Sequence, residues 1–529
     1  MKKYISGVLL KSMIRNKLKM KKLLLSLRGV LFLFILAALI LPFIPGCDQF
    51  KTEPVDSQEI RIILFHINDV HGQIDNFARI AWFVEQEKKK NPGTAVFFLN
   101  AGDNFSGNPV VDHYEPKGEP VLQLMNRMGF DAMALGNHEF DYGQEVLKSF
   151  MERANFSIIC ANANLKKPNE SFPQPPPFIM LKTPTGIKIA VLGLLEVDPY
   201  TGIPSTHPAR LPGFTFTDPI AIAKKYRYLK KESDIFIALT HVGSRTDNVL
   251  AQEIPGLDLI IGGHSHTLIQ HPAETGINGI PIAQTGWNAQ YLGRIELTWL
   301  KGRLVEKSGE LIDVASIKGE IPELREMIAK FNKNPALDQV IATLPRPVEG
   351  LLEVGNLACD AIRKNLNLDI VFNNSGGIRV TRLGPTIKLR DIYALHPFEN
   401  QVVRFKMSTA EIRSLIKSEY ERHKRLDLLV SGLGYIIKAT SAGEVKAVDL
   451  LDEKGQWLDE TRTYTVGLND YMVSTIKFSH QDPGKSLMVT INDALIQYLQ
   501  KEKDPVKGIR EIRMMLISID DGDGTEKSK

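Results

Sequence analysis

Residues 60 to 72 read IRIILFHINDVHG, an apolar run that ends abruptly in polar side chains. The run Ile60–Ile67 is rich in β-branched and aromatic residues and short for a helix, so it predicts a buried strand. Asp69 and His71 follow directly, and both residue types bind divalent metal ions. This stretch therefore predicts a strand whose carboxyl end carries metal ligands.

The same arrangement recurs four times further along the chain. Apolar runs lead into the clusters GDN, GNHEFD, TH and GGHSH, which contain Asp103, Asn137, His138, Asp141, His241, His264 and His266. In α/β sheets, binding sites form outside the carboxyl ends of strands, so the five clusters are expected to meet in one crevice. A lone histidine or a lone GDN turn is usually structural, but five ordered clusters are far more specific.

The residue types in these clusters indicate the chemistry. Carboxylate, imidazole and amide ligands together suit Mn²⁺, Zn²⁺, Fe²⁺ or Co²⁺. Two such ions about 3.5–4 Å apart can clamp a phosphoryl group and share a bridging hydroxide, with one aspartate bridging both ions. The clusters therefore predict a two-metal phosphoesterase site. Seven other histidines lack such neighbours and are expected to be structural: His66, His113, His207, His271, His396, His423 and His480.

The bulk composition is typical of a globular protein with more than one domain. At 529 residues the chain is too long for one ordinary core. The net charge of +4 comes largely from the lysine-rich first 22 residues, so it indicates no binding of a nucleic-acid polymer. Cys160 and Cys359 lie in apolar stretches and are predicted to be buried free thiols.

The N-terminus has the order of a secretory signal. The basic stretch Lys17–Lys22 precedes the apolar run Val30–Ile44, and Cys47 follows a glycine. This order resembles a bacterial lipoprotein signal, in which Cys47 is acylated and becomes the mature N-terminus. An uncleaved membrane anchor is the alternative. Both interpretations place the remaining chain outside the cytoplasm, in the periplasm or at the cell surface, attached to the membrane.

Changes in pattern divide the chain into six predicted regions. They are a signal segment (1–47), a tether (48–59), a catalytic α/β domain (60–320), a connecting helix (321–345), a second, smaller α/β domain (346–520) and a polar tail (521–529). In the second domain the predicted helix Gly355–Asn365 precedes the strand Asp369–Asn373 and a Ser-Gly-Gly turn. The aspartates from Asp520 onward predict a solvated tail, because no glutamate follows at calcium-loop spacing.

The ordered motifs NDVHG, GDNFSG, GNHEFD, TH and GGHSH resemble the calcineurin-like metallophosphoesterases. Their longer forms and the second domain are similar to the secreted 5′-nucleotidases, a family that includes bacterial UDP-sugar hydrolases. This resemblance implies a four-layer α/β/β/α catalytic sandwich and a smaller α/β domain for substrate recognition. It also implies that a metal-bridging hydroxide releases phosphate from nucleoside monophosphates without a covalent intermediate.

Carried over motif by motif, the resemblance assigns a role to each residue of the first domain. One metal is held by Asp69, His71 and His266, the other by Asn137, His241 and His264, and Asp103 bridges the two. His138 is expected to face the substrate phosphate, where it stabilises charge and assists the leaving oxygen. Asp141, three residues later, is expected to fix the His138 ring and favour its protonated form.

The second domain is expected to recognise the substrate. Asn374, Gly377 and Arg379 lie in the sequence NSGGIR, which resembles the family's phosphate-binding turn, and Arg379 can bind phosphate bidentately. Phe398 and Tyr471 fall where the family stacks two rings on a nucleobase. An ordinary core position is an equally good interpretation of either ring alone.

Two positions depart from the family pattern. Val348 stands where an arginine is usual, and Lys477 ends the segment that replaces a ribose-binding Gly-Gly-Asp. These departures keep UDP-sugars, 2′,3′-cyclic nucleotides and a sulfur ester open as alternative substrates. A surface protein that captures nucleotides without turnover is an alternative of another class. Nothing in the sequence indicates the oligomeric state.

Overall fold

A six-stranded sheet built around Ile60–Ile67 forms the centre of the first half of the protein. The computed structural model describes residues 59–166, 172–272 and 276–519. In spatial order the strands are Arg303–Asp313, Tyr291–Leu300, Ile60–Ile67, Ala95–Asn100, Ala132–Ala134 and Ser157–Ile159. The last four strands are parallel, so their carboxyl ends lie at the same edge of the sheet. The strands predicted before Asp69, Asp103 and Asn137 are confirmed.

A second, five-stranded sheet contains the strands predicted before His241 and His264. In spatial order the strands of this sheet are Ile282–Ala283, Leu259–Ile261, Ile235–His241, Lys188–Leu195 and Phe178–Lys182. Only Phe178–Lys182 runs antiparallel to its neighbour. The other four are parallel, which again brings the carboxyl ends of Ile235–His241 and Leu259–Ile261 to one edge.

The two sheets pack face to face, and helices cover both outer faces. Ile62 and Leu64 of the first strand contact the second sheet, whereas Ile63, Phe65 and Ile67 face helices on the other side. The strand is buried on both faces, which explains its uninterrupted apolar sequence. The helices over the six-stranded sheet are Phe77–Lys90, Pro109–Asp112, Glu119–Met128, Gln144–Arg153 and Pro322–Asn332. Those over the five-stranded sheet are Pro219–Tyr226, Leu229–Glu232 and Ser244–Glu253. The predicted four-layer α/β/β/α sandwich is confirmed.

The second half is built on another five-stranded sheet. Its strands, in spatial order, are Leu428–Ser431, Ile370–Asn374, Tyr464–Asn469, Gln401–Met407 and Lys485–Thr490. Three helices cover one face: Leu351–Asn365, Leu389–Leu395 and Ile491–Lys501. The other face packs against the helices Thr409–His423 and Asp470–Thr475 and a three-stranded sheet of Val445–Leu451, Gly434–Ala439 and Met514–Ser518. The predicted smaller α/β domain is thus present.

Short elements connect these layers. The two-stranded pairs are Ala163–Leu165 with Phe214–Phe216, Val340–Thr343 with Thr386–Lys388, and Val348–Glu349 with Arg382–Leu383. Single turns of 3₁₀ helix occur at His138–Phe140, Pro208–Arg210, Val314–Ser316, Pro335–Asp338 and Ser375–Gly377. The last of these is the predicted Ser-Gly-Gly turn, directly after the strand Ile370–Asn374.

The predicted connecting helix over residues 321 to 345 is wrong in its second half. The helix Pro322–Asn332 ends before Pro335, and Val340–Thr343 forms a strand. Asn334 is extended because a residue that precedes proline is disfavoured in the helical region. The helix Leu351–Asn365 also begins earlier than the predicted Gly355.

The thiols of Cys160 and Cys359 are buried and free, as predicted. The signal segment with Cys47, nearly all of the tether and the polar tail lie outside the described residues. Within residues 59–166, 172–272 and 276–519, no helix has both the length and the apolar character to cross a bilayer.

Candidate metal centre and substrate cavity

The five polar clusters meet where the carboxyl ends of the two sheets adjoin. The first two loops lie side by side, because the backbone N–H groups of Asp69 and His71 donate to the carbonyls of Gly102 and Asp103, each at 3.0 Å. The ring of His241, from the second sheet, reaches across to the first, where its Nδ1 lies 2.6 Å from the Ala101 carbonyl oxygen. The sandwich therefore brings together all seven predicted ligands.

One group of ligand atoms surrounds Asp69. Nε2 of His266 lies 3.4 Å from Asp69 Oδ1, and Nε2 of His71 lies 3.9 Å from the same oxygen. The two ring nitrogens are only 3.0 Å apart. Three potential ligand atoms thus converge on one point, which is the arrangement that a cation requires.

A second group surrounds Asp103. Its Oδ2 lies 2.9 Å from Nε2 of His241. Nδ1 of His264 lies 3.0 Å from the Asn137 side-chain oxygen. Asp103, His241 and His264 form a second convergent set of ligand atoms. A third set consists of Asp103, His71 and His138. Asp103 is therefore placed between the two groups.

Several observations show that the donor set fits divalent ions. Nδ1 of His71 and of His241 each face a backbone carbonyl, those of Ser106 and Ala101. A carbonyl only accepts, so each ring donates from Nδ1 and presents Nε2, as metal-binding histidines do. The buried Nε2 of His241 makes no hydrogen bond in the structure, although a carboxylate lies beside it.

The electrostatics favour positive charge at this point. Burial opposes a charged His241 ring, but the Asp103 and Asp69 carboxylates outweigh burial and raise the pKa of His241 to about 10. Burial likewise opposes a charged Asp103, but His241 and His138 hold the pKa of Asp103 well below its usual range. Burial lowers the pKa of His264 to about 4, which keeps its ring neutral as a ligand requires.

The backbone around these ligands is in an unusual conformation. Five of the seven predicted ligands have positive φ angles between 49° and 76°: Asp69, His71, Asp103, His264 and His266. Non-glycine residues rarely adopt this region, and such conformations cluster at functional sites. The turns also approach one another closely. A Cβ added to Gly136 would lie 2.1 Å from Asp103 Oδ1, so only glycine fits there.

His138 and Asp141 form the pair that the motif spacing predicts. Nδ1 of His138 lies 2.6 Å from Asp141 Oδ2, and Nε2 lies 3.9 Å from Asp103 Oδ2. Burial opposes a charged ring, but the two carboxylates outweigh it, and the pKa of His138 is raised above its ordinary value. The exposed fraction of His138 is only 8%, and the residue lines a cavity beside the candidate metal ligands.

Glu139 is a supporting residue that the sequence did not single out. Its fully buried carboxylate accepts hydrogen bonds from the backbone N–H groups of Asp103, Asn104 and Gly136 at 2.7–3.0 Å. It therefore ties the loop of Asp103 to the loop of Asn137. The only feature of the sequence that points to Glu139 is its position inside GNHEFD. That position does not show whether the side chain is buried or exposed.

A cavity of about 710 Å³ lies between the metal centre and the second half of the protein. It is lined by the predicted residues Asn374, Gly377, Arg379, Phe398 and Tyr471 together with Asp103, Asn137, His138, Asp141, His264 and His266. Histidines expected to be structural also line it, namely His113, His207 and His423. The sequence did not place these three histidines at the cavity, because their neighbours along the chain carry no motif.

Two of the predicted recognition residues, Arg379 and Phe398, lie against His71 and His138. Nη2 of Arg379 lies 3.2 Å from Nε2 of His71, and its guanidinium lies 6.0 Å from the Phe398 ring centre. The Phe398 ring stacks on His138 with 5.8 Å between ring centres and 17° between planes. Asn374 is held by a hydrogen bond of 2.9 Å from Asn469. The two halves thus contribute to one site.

The two departures from the family pattern have structural consequences. Val348 is buried in a short strand, and nearby Arg346 is engaged by Glu353 at 2.7 Å, so neither supplies a cation to the cavity. Nζ of Lys477 donates to the Tyr200 carbonyl at 3.3 Å and lies 4.8 Å from the Tyr200 ring centre. This segment therefore contacts the first half of the protein and presents no carboxylate to a ligand.

A further group of ligand-type residues lies in the cavity wall: Glu419, His423 and Asp427. Arginines accompany its carboxylates. Nη1 of Arg422 lies 4.0 Å from Glu419, and Arg425 lies 3.0 Å from Asp427. Asp427 therefore pairs with Arg425, whereas the nearer partner of Glu419 is His423, whose Nε2 lies 3.2 Å from Oε1, because Arg422 is engaged by Asp198 at 2.7 Å.

Comparison with known proteins identifies the two halves. Residues 63–268 match the calcineurin-like phosphoesterases, and residues 341–477 match the 5′-nucleotidase C-terminal domain. The chain belongs to the 5′-nucleotidase family of metallophosphoesterases. The predicted family and the α/β fold class are confirmed.

Individual relatives are similar over most of the chain. The 5′-nucleotidase of Vibrio cholerae is 28% identical over 73% of this chain and 80% of its own. The crystal structure of a 5′-nucleotidase precursor from Thermus thermophilus has a TM-score of 0.73 at 26% identity, covering 87% of this chain and 99% of that one. The endonuclease YhcR of Bacillus subtilis is 24% identical over 90% of this chain, which spans 42% of its length.

Proposed function

We propose that this nucleotidase-family protein is a two-metal 5′-nucleotidase that releases phosphate from nucleoside monophosphates. One observation carries the proposal: Arg379 and Phe398 of the second half lie against His71 and His138 of the metal centre. A phosphate bound to Arg379 would therefore lie at the metal ligands. A base placed near Phe398 would stay in the same cavity.

The proposed ligand groups follow the convergence seen in the structure. Asp69, His71 and His266 would hold one ion, Asn137, His241 and His264 the other, and Asp103 both. Two bound divalent ions would supply Lewis-acid activation of water and would neutralise charge on the phosphoryl oxygens.

His138 and Arg379 would act on the substrate itself. His138, protonated through its contact with Asp141, would stabilise charge on the phosphoryl group and donate a proton to the leaving oxygen. Arg379 would bind phosphate oxygens with two parallel N–H groups. Phe398 and Tyr471 would contact the nucleobase, and Asn374 and Gly377 would shape the turn that receives the phosphate.

Removal and restoration of metal tests this function. The mature protein, stripped with a chelator, is expected to release no phosphate from AMP, and Mn²⁺ or Zn²⁺ should restore release because the ligand groups hold the activating ions. Phosphate release is measured for AMP, UDP-glucose and 2′,3′-cyclic AMP, since the Lys477 segment leaves these substrates as alternatives. Failure of every nucleotide and sugar phosphate, with each metal, contradicts the proposal and favours a nucleotide-capturing protein.

Replacement of Phe398 by leucine tests recognition of the nucleobase. Leucine keeps an apolar contact with His138 but cannot stack on a base, and stacking contributes about 1–3 kcal/mol per base. We expect kcat/KM for AMP to fall about 10- to 100-fold. Ribose 5-phosphate, which has the same phosphoester and no base, serves as the control substrate. An equal loss for both substrates would show that Phe398 supports His138 and not the base.

We also propose that the protein acts outside the cytoplasm as a lipoprotein acylated at Cys47. The order of basic stretch, apolar run and cysteine supports this proposal. Labelling with a fatty-acid analogue in a bacterial host, compared between the natural chain and Cys47→Ala, tests it. Equal labelling of the two chains, or none, would contradict acylation at Cys47.

A further inference from the structure

Residues 196–206 form a segment that contacts both halves of the protein beside the metal centre. The segment starts directly after the strand Lys188–Leu195, and the backbone N–H of Glu196 donates to the carbonyl of His241 at 2.7 Å. No sequence motif covers these residues. The segment is therefore hydrogen-bonded to His241, a predicted metal ligand, although no residue of the segment is itself a predicted ligand.

The segment controls the orientation of the Asn137 amide. The Ser205 carbonyl accepts a hydrogen bond of 3.0 Å from Asn137 Nδ2. A carbonyl cannot donate, so this contact favours the amide orientation in which the side-chain oxygen points away from Ser205. That oxygen lies 3.0 Å from His264, its predicted partner on the same metal.

The next residue of the segment holds the catalytic pair. The Thr206 hydroxyl donates to Asp141 Oδ1 at 2.6 Å, and the other oxygen of Asp141 faces His138. Thr206 is 3% exposed, so water has little access to replace this contact. Glu196 in turn accepts hydrogen bonds from the N–H and the hydroxyl of Ser205, at 2.9 and 3.2 Å.

The second half of the protein holds the same segment from the other side. Nη2 of Arg422 lies 2.7 Å from Asp198 Oδ2, and their side chains are 9% and 14% exposed. The other oxygen of Asp198 accepts hydrogen bonds from the N–H groups of Tyr200 and Thr201. Lys477 bonds to the Tyr200 carbonyl.

We propose that residues 196–206 are a positioning segment that orients Asn137 and Asp141, and that Arg422 holds it in place. Docking of the second half then completes the geometry of the catalytic pair. The inference rests on the proposed phosphoesterase function. It adds Ser205 and Thr206 as positioning residues and makes Arg422, in the other half, a contributor to turnover.

Replacement of Thr206 by valine tests the segment, because valine has the same shape and no donor. Loss of a hydrogen bond to a charged group is expected to lower kcat for AMP about 10- to 100-fold. Both KM and the content of two metals should be unchanged. Loss of kcat for p-nitrophenyl phosphate should be smaller, because its leaving group needs little protonation. Thr206→Ser, which restores the hydroxyl, should recover most of the activity.

Two results would overturn the proposal. One is an unchanged kcat for AMP in Thr206→Val. The other is an equal loss on both substrates without recovery in Thr206→Ser, which indicates a merely structural role. If the natural protein hydrolyses p-nitrophenyl phosphate but not AMP, the nucleotidase assignment fails by itself. Phenyl phosphate, which has a poorer leaving group than p-nitrophenyl phosphate, then replaces AMP in the comparison of kcat values.

Arg422→Gln tests the link to the second half. It should lower kcat for AMP as Thr206→Val does, and the two losses should be less than additive because both act through Asp141. Arg413→Gln is the matched control, since Arg413 lies on the same helix, Thr409–His423, and pairs with Glu460 away from the segment. Equal kcat in Arg422→Gln and Arg413→Gln would overturn the proposed role of Arg422.

Discussion

Asp103→Asn is expected to leave the purified protein without bound divalent ions and to lower kcat/KM for AMP about 1,000-fold or more. Asp103 is 2% exposed, and its Oδ2 lies 2.9 Å from His241. The substitution keeps the shape of the side chain and removes the negative charge between the two ligand groups. Both proposed ion sites should weaken together, because one carboxylate serves both.

Metal content, measured by elemental analysis after dialysis, is the deciding quantity. Asp131→Asn is the matched control: Asp131 lies directly before the strand Ala132–Ala134 and accepts a hydrogen bond from the backbone N–H of Phe98 at 2.7 Å. That variant should retain two metal equivalents. Two full equivalents in Asp103→Asn would contradict the bridging role, and one equivalent would assign Asp103 to a single ion.

His138→Asn is expected to lower kcat for AMP about 100- to 10,000-fold, the range of a lost general acid. Metal content should be unchanged, because the backbone N–H of His138, which donates to Asp103 at 2.9 Å, remains in place. The effect on KM should be small, since Arg379 still binds the phosphate. Asparagine cannot be protonated near neutral pH, so the proton for the leaving oxygen is lost.

His113→Asn provides the control for His138→Asn. His113 is another imidazole in the cavity wall, stacked on Tyr393 at 3.9 Å between ring centres, and it has no contact with Asp141. Its substitution should change kcat little. Equal activities of His138→Asn and the natural protein, with metal bound in both, would contradict a catalytic role for His138.

The candidate metal ligands in the first half of the protein were predictable because each sequence pattern that indicates them is local. An apolar run such as Ile60–Ile67 and the ligands that follow it lie within a few residues, so strand and ligand are recognised together. Parallel pairing then brings the carboxyl ends to one edge. The sequence pattern was less reliable where backbone sterics opposed it. The helix predicted over residues 321 to 345 ends early because Asn334, which precedes Pro335, is extended.

The supporting residues could not be predicted in the same way. Glu139 and Thr206 act through hydrogen bonds to loops, 35 to 65 residues apart along the chain. Their side chains are polar, and polar residues usually lie at the surface. Only the folded structure shows that these two are buried and which groups they contact. The positive φ angles of Asp69 and Asp103 are likewise imposed by the crowded loops.

The sequence by itself determined the α/β pattern, the types of candidate ligand and their places after the strands, because periodicity and motif spacing are properties of short stretches. The four-layer sandwich was implied only by the family resemblance. Only the tertiary structure decided how the second half meets the metal centre. Arg379 and His71 are 308 residues apart in the chain and 3.2 Å apart in space. Such a contact depends on packing between whole layers, which no local pattern records.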